Sequence, residues 1–179
     1  NITNFGAQPI NTALIGWSVD GVARPNVPVS FSQPISYSQS NGTVSLGNVN
    51  FPGGVFVNIE AHIISVNNQA DMNPFNNDLQ TDLIAALCGI YSIAQSDTAD
   101  FQSFEEASSI LVQAGVACPV TFNVTAGIYE ESFAISQIPG ASAVNTVTFQ
   151  SASGDSSSVT VSNSNPSSSN NYTLNLAGT

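Results

Sequence analysis

Lysine is absent from this 179-residue chain, and Arg24 and His62 are its only basic side chains against 12 Asp and Glu. The formal net charge is −11. Neutralising phosphates takes several Lys or Arg, so nucleic acid and anionic membrane surfaces are poor partners. Cations or neutral glycans suit such a surface better. Charged residues make up only 7% of the chain, against roughly 25% in an average domain. Solubility must then rest on Ser, Thr, Asn and Gln, as in secreted β-rich proteins. No apolar run approaches the ~18 residues of a membrane span. "LIAALCGIYSIA" is too short, which argues against membrane insertion. No basic region precedes an apolar one at the start, so no signal peptide is expected and export would be directed by segments outside this chain. Two cysteines without a matching His cluster make no zinc site.

Hydrophobic residues reach 42%, enough for a real core in one domain or two small ones. The pattern changes at about residue 84. Residues 1–83 hold short alternating runs, "ALIGWSVDGVA", "VPVSF", "TVSLGNVNFPGG" and "VFVNIEAHIISV", punctuated by Gly, Pro and Asn-Gly. Leu14, Trp17 and Val19 precede Asp20-Gly21, a hairpin signal. Val55, Val57, Ile59, Ala61 and Ile63 fall on one face at period two. Turn signals about every ten residues argue for a β-sandwich with Trp17 as its core aromatic. "NITNFG" reads as a strand interior followed by a turn, so the sandwich is expected to lack its first strand, supplied upstream or by another molecule.

Residues 84–179 read differently. "SFEEASSILVQAG" is a helix, with Ser103 and Glu106 as a capping box and Gly115 as the stop. Phe104, Ala107, Ile110, Leu111 and Ala114 form its apolar stripe. "PVTFNV" then echoes in "TVTFQS" 27 residues later, Val120 to Val147, a spacing that signals stacked repeats. "SFAIS", "SSVTVSNSN" and "NYTLNLAGT" supply further short strands. A capping helix followed by short strands with Asn, Gly and Ser corners fits the first coils of a parallel β-helix. Tyr172, Leu174 and Leu176 alternate in a last rung that more coils or another subunit would cover.

The stretch "PFNNDLQTDLIAALCGIYSIAQSDTADFQSFEEASSILVQAGVACPVTFNVTAGIYEESFAI" resembles a junction in large secreted surface proteins of Bacteroidota. There an Ig-like module of the cell-adhesion-related (CARDB-like) type ends in an Asp-x-Asn-Pro-x-Asn-Asp element. A "GxYxI…DFxSFxEAxxxL…GPVTFNV…GxYxE" stretch then opens a right-handed β-helix. The matching positions here are Gly89, Tyr91, Ile93, Asp100, Phe101, Ser103, Phe104, Glu106, Ala107, Pro119 to Val124, Gly127, Tyr129 and Glu131. "VTFQSASGDSSSVTV" continues the match, which is strong after residue 71 and looser before it. The resemblance implies an Ig-like sandwich over 1–83, the cap and first coils of a right-handed parallel β-helix over 84–179, type IX export and display at the cell surface. Cys88 and Cys118 depart from it, since small residues are expected there.

In an exported chain an even cysteine count usually means a bridge, and a Cys88–Cys118 bond would tie the cap to the helix body. It would close a loop worth roughly 3–4 kcal/mol in the chain-entropy model. The alternative is two buried free thiols. In "DMNPFNND", Asp71, Asn73, Asn77 and Asp78 offer hard oxygen ligands, which makes calcium the one cofactor candidate. The alternative is that these Asx side chains shape a turn, and the spacing is not that of an EF-hand. Glu130 and Glu131 are adjacent in a strand and point to opposite faces, so they form no acid–base pair. Glu105 and Glu106 are explained by helix capping. "DTA" matches the Asp-Ser/Thr-small pattern on which Bacteroidota attach O-linked glycans, which makes Thr98 a candidate; alternatively Asp97 and Asp100 only start the helical turn.

Catalysis is not expected. β-Helix lyases use calcium-held carboxylates with a Lys or Arg base, and hydrolases cluster carboxylates on one face; after residue 132 the only acidic residue is Asp155. His62 sits in an alternating run without a nucleophile and reads as a packed or surface side chain. The expected role is a structural and adhesive segment of a large surface protein, part of an extracellular fibre that holds surfaces, polysaccharide or prey. Its expected partners are copies of itself, neighbouring domains of one long chain, or glycans. The competing reading is a non-catalytic module of a secreted polysaccharide-degrading β-helix enzyme.

Overall fold

Asp20 and Gly21 both adopt positive φ, 49° and 73°, in the computed structural model, which describes residues 1–168 and 170–177. That pair of left-handed residues is what a two-residue hairpin turn needs. It joins β1 (Ile10–Val19) to β2 (Val22–Ile35), which pair antiparallel from Val19↔Val22 outward. β3 (Phe56–Val66) pairs antiparallel on the other side of β1, and β4 (Asp78–Ile84) completes a sheet in the order β2-β1-β3-β4. Ile10, Ala13, Ile15, Trp17, Val19 and Val57 are buried on one face of this sheet. Trp17 satisfies its indole N–H by donating to the Pro25 carbonyl at 3.1 Å.

An extended segment without strand pairing lies over that face. Val44, Leu46, Val49 and Phe51 pack on the buried clusters, yet residues 43–52 carry no strand pairing. The alternation in "TVSLGNVNFPGG" reports which side faces the core, and it is silent on whether a ladder partner exists. Among the described residues the first unit is thus mainly antiparallel β, a four-stranded sheet with the extended 43–52 segment packed on it, consistent with a β-sandwich. Val55, expected in the β3 row, precedes the strand and is 48% exposed.

The chain divides by its contacts into Asn1–Phe51 with Phe56–Leu83, and Pro52–Val55 with Ile84–Thr179. The second unit contains β5 (Leu87–Ile93), α1 (Phe104–Ala114), β6 (Val116–Val124), β7 (Gly127–Glu130), β8 (Phe133–Ile135), β9 (Val147–Ser151), β10 (Val159–Ser162) and β11 (Leu174–Leu176). Every pairing between these strands is parallel. β5, β6 and β9 form one ladder, β7 pairs β10, and β8 pairs β11. Val120↔Val147 and Phe122↔Phe149 align the two echoing segments rung on rung. The stacked rings of Phe122 and Phe149 lie 4.7 Å apart, the offset-stacked distance that favours aromatic pairs. Gly178 and Thr179, the last two residues of the expected 171–179 run, lie outside the described residues.

α1 buries Phe104, Ala107 and Leu111 into the same core as Val120, Phe122 and Val124. Phe104 stacks on Phe133 at 5.1 Å and meets Tyr129 edge-on at 5.2 Å. The helix stops at Gly115, whose φ of 70° few other residues adopt. A Cβ there would also stand 2.5 Å from the Pro139 carbonyl oxygen.

Candidate functional site

A dense group of polar contacts gathers around the start of α1. A helix leaves its first N–H groups without internal partners. Ser103 Oγ accepts from Glu106 N at 3.0 Å, and Glu106 Oε2 accepts from Gln102 N at 2.7 Å. The two remaining donors of the first turn, Phe104 N and Glu105 N, both reach Glu131, at 3.0 Å to Oε1 and 2.8 Å to Oε2. Glu131 lies just past β7, so one carboxylate from outside the helix clamps its positive end. Nothing in the spacing of Glu130 and Glu131 points to this contact, because the partners lie 26 and 27 residues away along the chain. The missed signal is an unpaired acid one residue past a short strand, opposite a helix start.

Two further elements lock the same region. Asp100 Oδ2 accepts from Ser92 N at 2.8 Å and from Ser92 Oγ at 2.7 Å, holding the loop before α1 on β5. Tyr129 is 2% exposed, and its hydroxyl donates to Thr125 O at 2.9 Å. Burial pushes the Tyr129 phenol above its ordinary value, and the Glu131 charge adds in the same direction.

Cys88 and Cys118 form a disulfide between β5 and β6, with Cα atoms 4.9 Å apart. Cys88 is exposed and Cys118 half-buried, so the bond lies near the surface of the ladder. The pair of free thiols does not occur.

The remaining candidates lie apart from this cluster. Asp71 Oδ1 accepts from Asn73 N at 3.1 Å, and the Asn77 carbonyl accepts from Ile63 N at 3.1 Å. Asn73 precedes a one-turn 3-10 helix, Pro74–Asn76, and Asp78 opens β4. The first is the backbone-shaping use of an Asx side chain, and the second is an ordinary bond between two main chains. Among the described residues there is no group of three or more His, Cys, Asp or Glu placed to hold a metal ion. Thr98 is exposed in a turn, its hydroxyl 3.0 Å from Ser96 Oγ. His62 is exposed, and its ring lies so close over Gly16 that a Cβ there would be 2.5 Å from it. That contact, rather than backbone conformation, is what glycine serves at position 16.

No protein-family model, curated protein or solved structure matches the chain. Among the described residues no helix is long and apolar enough to cross a membrane.

Proposed function

We propose that the chain is a structural and adhesive segment of a large secreted cell-surface protein. In this reading residues 84–179 open a right-handed parallel β-helix that serves as a stiff rod, and residues 1–83 are an Ig-like spacer. The observation that carries it is the parallel, in-register stacking of β6 and β9, with Phe122 on Phe149 and α1 packed on the same core. Such a stack resists bending because each rung is hydrogen-bonded to its neighbour along its length. The Cys88–Cys118 bond fits an oxidising, extracellular setting and ties two adjacent rungs covalently. With a net charge of −11 and a single Arg, the surfaces it would hold are neutral polysaccharides or cell surfaces coated with them.

A flow cell tests this. Beads carrying the purified chain are run over immobilised neutral and anionic polysaccharides, while light scattering and negative-stain imaging report mass and shape. Retention on neutral glycans together with elongated particles is the expected result. Compact particles that adhere to none of these surfaces would sink the reading.

A further inference from the structure

The first unit's sheet has two edges, and the sequence treats them differently. β2 carries Pro25, Pro28 and Pro34 and the only Arg of the chain, Arg24. Proline cannot donate to a ladder, so that edge is blunted against pairing. β4, "DLQTDLI", carries no proline and is the other edge. Its free backbone groups offer a strand template about 23 Å long at the usual rise per residue.

The start of β4, at Asp78 and Leu79, borders a groove of about 1040 Å³ lined in part by Ile15, Ile63 and Val66, with Asp71 on its wall. Asn58 Nδ2 donates to Asp82 Oδ1 at 2.7 Å, which places Asp82 on the outer face with Asn58. Alternation then turns Leu79 and Leu83 to the core side. They remain 61% and 47% exposed. An open edge and an uncovered apolar row thus occur together on one strand.

Charge decides the occupant. Twofold pairing of two copies about Gln80 would set Asp78 of one copy opposite Asp82 of the other. Like charges directly opposite destabilise a pair, and each copy carries a net charge of −11. We propose that β4 and its groove accept an extended segment of another protein, apolar at alternate residues and bearing Lys or Arg between them. Its backbone would pair with β4, its apolar side chains would cover Leu79 and Leu83, and its cations would face Asp78 and Asp82. This goes beyond the proposed adhesive role and does not depend on it.

The probe is a synthetic peptide of about nine residues alternating Val and Lys, a length that matches the edge, compared with its Val/Glu twin. Binding is read by calorimetry, and backbone hydrogen exchange locates the site. The Val/Lys peptide is expected to bind and to slow exchange along β4. Leu79→Asn, and separately the pair Asp78→Asn with Asp82→Asn, should each weaken it about tenfold. All three side chains are exposed, and unchanged Trp17 emission shows that each variant is folded. Equal binding of the Val/Glu twin, protection elsewhere than β4, or no binding at about 1 mM peptide would each overturn the proposal. So would a concentration-dependent dimer that itself protects β4, which would make the occupant a second copy.

Discussion

Removing the Glu131 carboxylate should loosen the helical cap selectively. Its two oxygens satisfy Phe104 N and Glu105 N at 3.0 and 2.8 Å. Both are charge-assisted bonds, and both lie at the positive end of α1. Water can replace part of the bond to Glu105 N, which is exposed, whereas the one to Phe104 N is partly buried. Glu131→Ala should therefore cost about 2 kcal/mol, a cap-sized loss with a charge term added. Glu131→Gln keeps an acceptor and loses the charge, so about 1 kcal/mol is expected. Urea unfolding followed by far-UV circular dichroism measures both. Trp17, the only tryptophan, lies in the first unit and serves as an internal reference whose emission transition should not move. Glu130→Ala is the control: that side chain is exposed and makes no side-chain hydrogen bond among the described residues, so it should stay within about 0.5 kcal/mol of the parent. If Glu131→Ala also stays within about 0.5 kcal/mol, the clamp contributes nothing to stability.

Three other outcomes follow from the same unit. Replacing both Cys88 and Cys118 by Ala removes a bond with a sequence separation of 30, which should lower second-unit stability by about 3–4 kcal/mol; urea unfolding of parent and variant gives the value, with Trp17 unmoved. Phe122→Ala deletes a fully buried ring stacked on Phe149, and a loss of about 3–5 kcal/mol in thermal or urea unfolding is expected. Tyr129 holds its proton more tightly when folded than unfolded, because burial and then Glu131 raise its pKa above the ordinary 10.0. The unfolded chain releases that proton first, so its contribution is fully present below about pH 10 and is lost as pH rises beyond it. Tyr129→Phe should flatten this alkaline decline in stability measured at successive pH values.

How much of this was legible in the sequence depends on how local each feature is. Ser103, Glu106 and Gly115 are local rules, and α1 starts and stops where they place it. The 27-residue echo was legible because stacked rungs repeat the same inward positions, and Val120, Phe122 and Val124 sit directly beneath Val147, Phe149 and Ser151. The hairpin at Asp20-Gly21 is a two-residue signal with its conformational demand written into it. The coil at 43–52 shows the limit. Val44, Leu46, Val49 and Phe51 face the core as strand residues would, but pairing depends on a neighbour that the segment itself does not encode.

Glu131 shows the same limit from the side of function. Weighed against its neighbour Glu130 it is an ordinary strand-end acid. Its meaning comes from the two N–H groups that the fold brings to it, 26 and 27 residues away along the chain. The start of α1 is therefore specified twice, once by the local box at Ser103 and once by a long-range carboxylate. The disulfide adds a third, covalent tie at the opposite end of β5 from the Ser92–Asp100 contact. The Glu131 clamp and the disulfide restrain different segments, the first turn of α1 against the residue after β7 and β5 against β6.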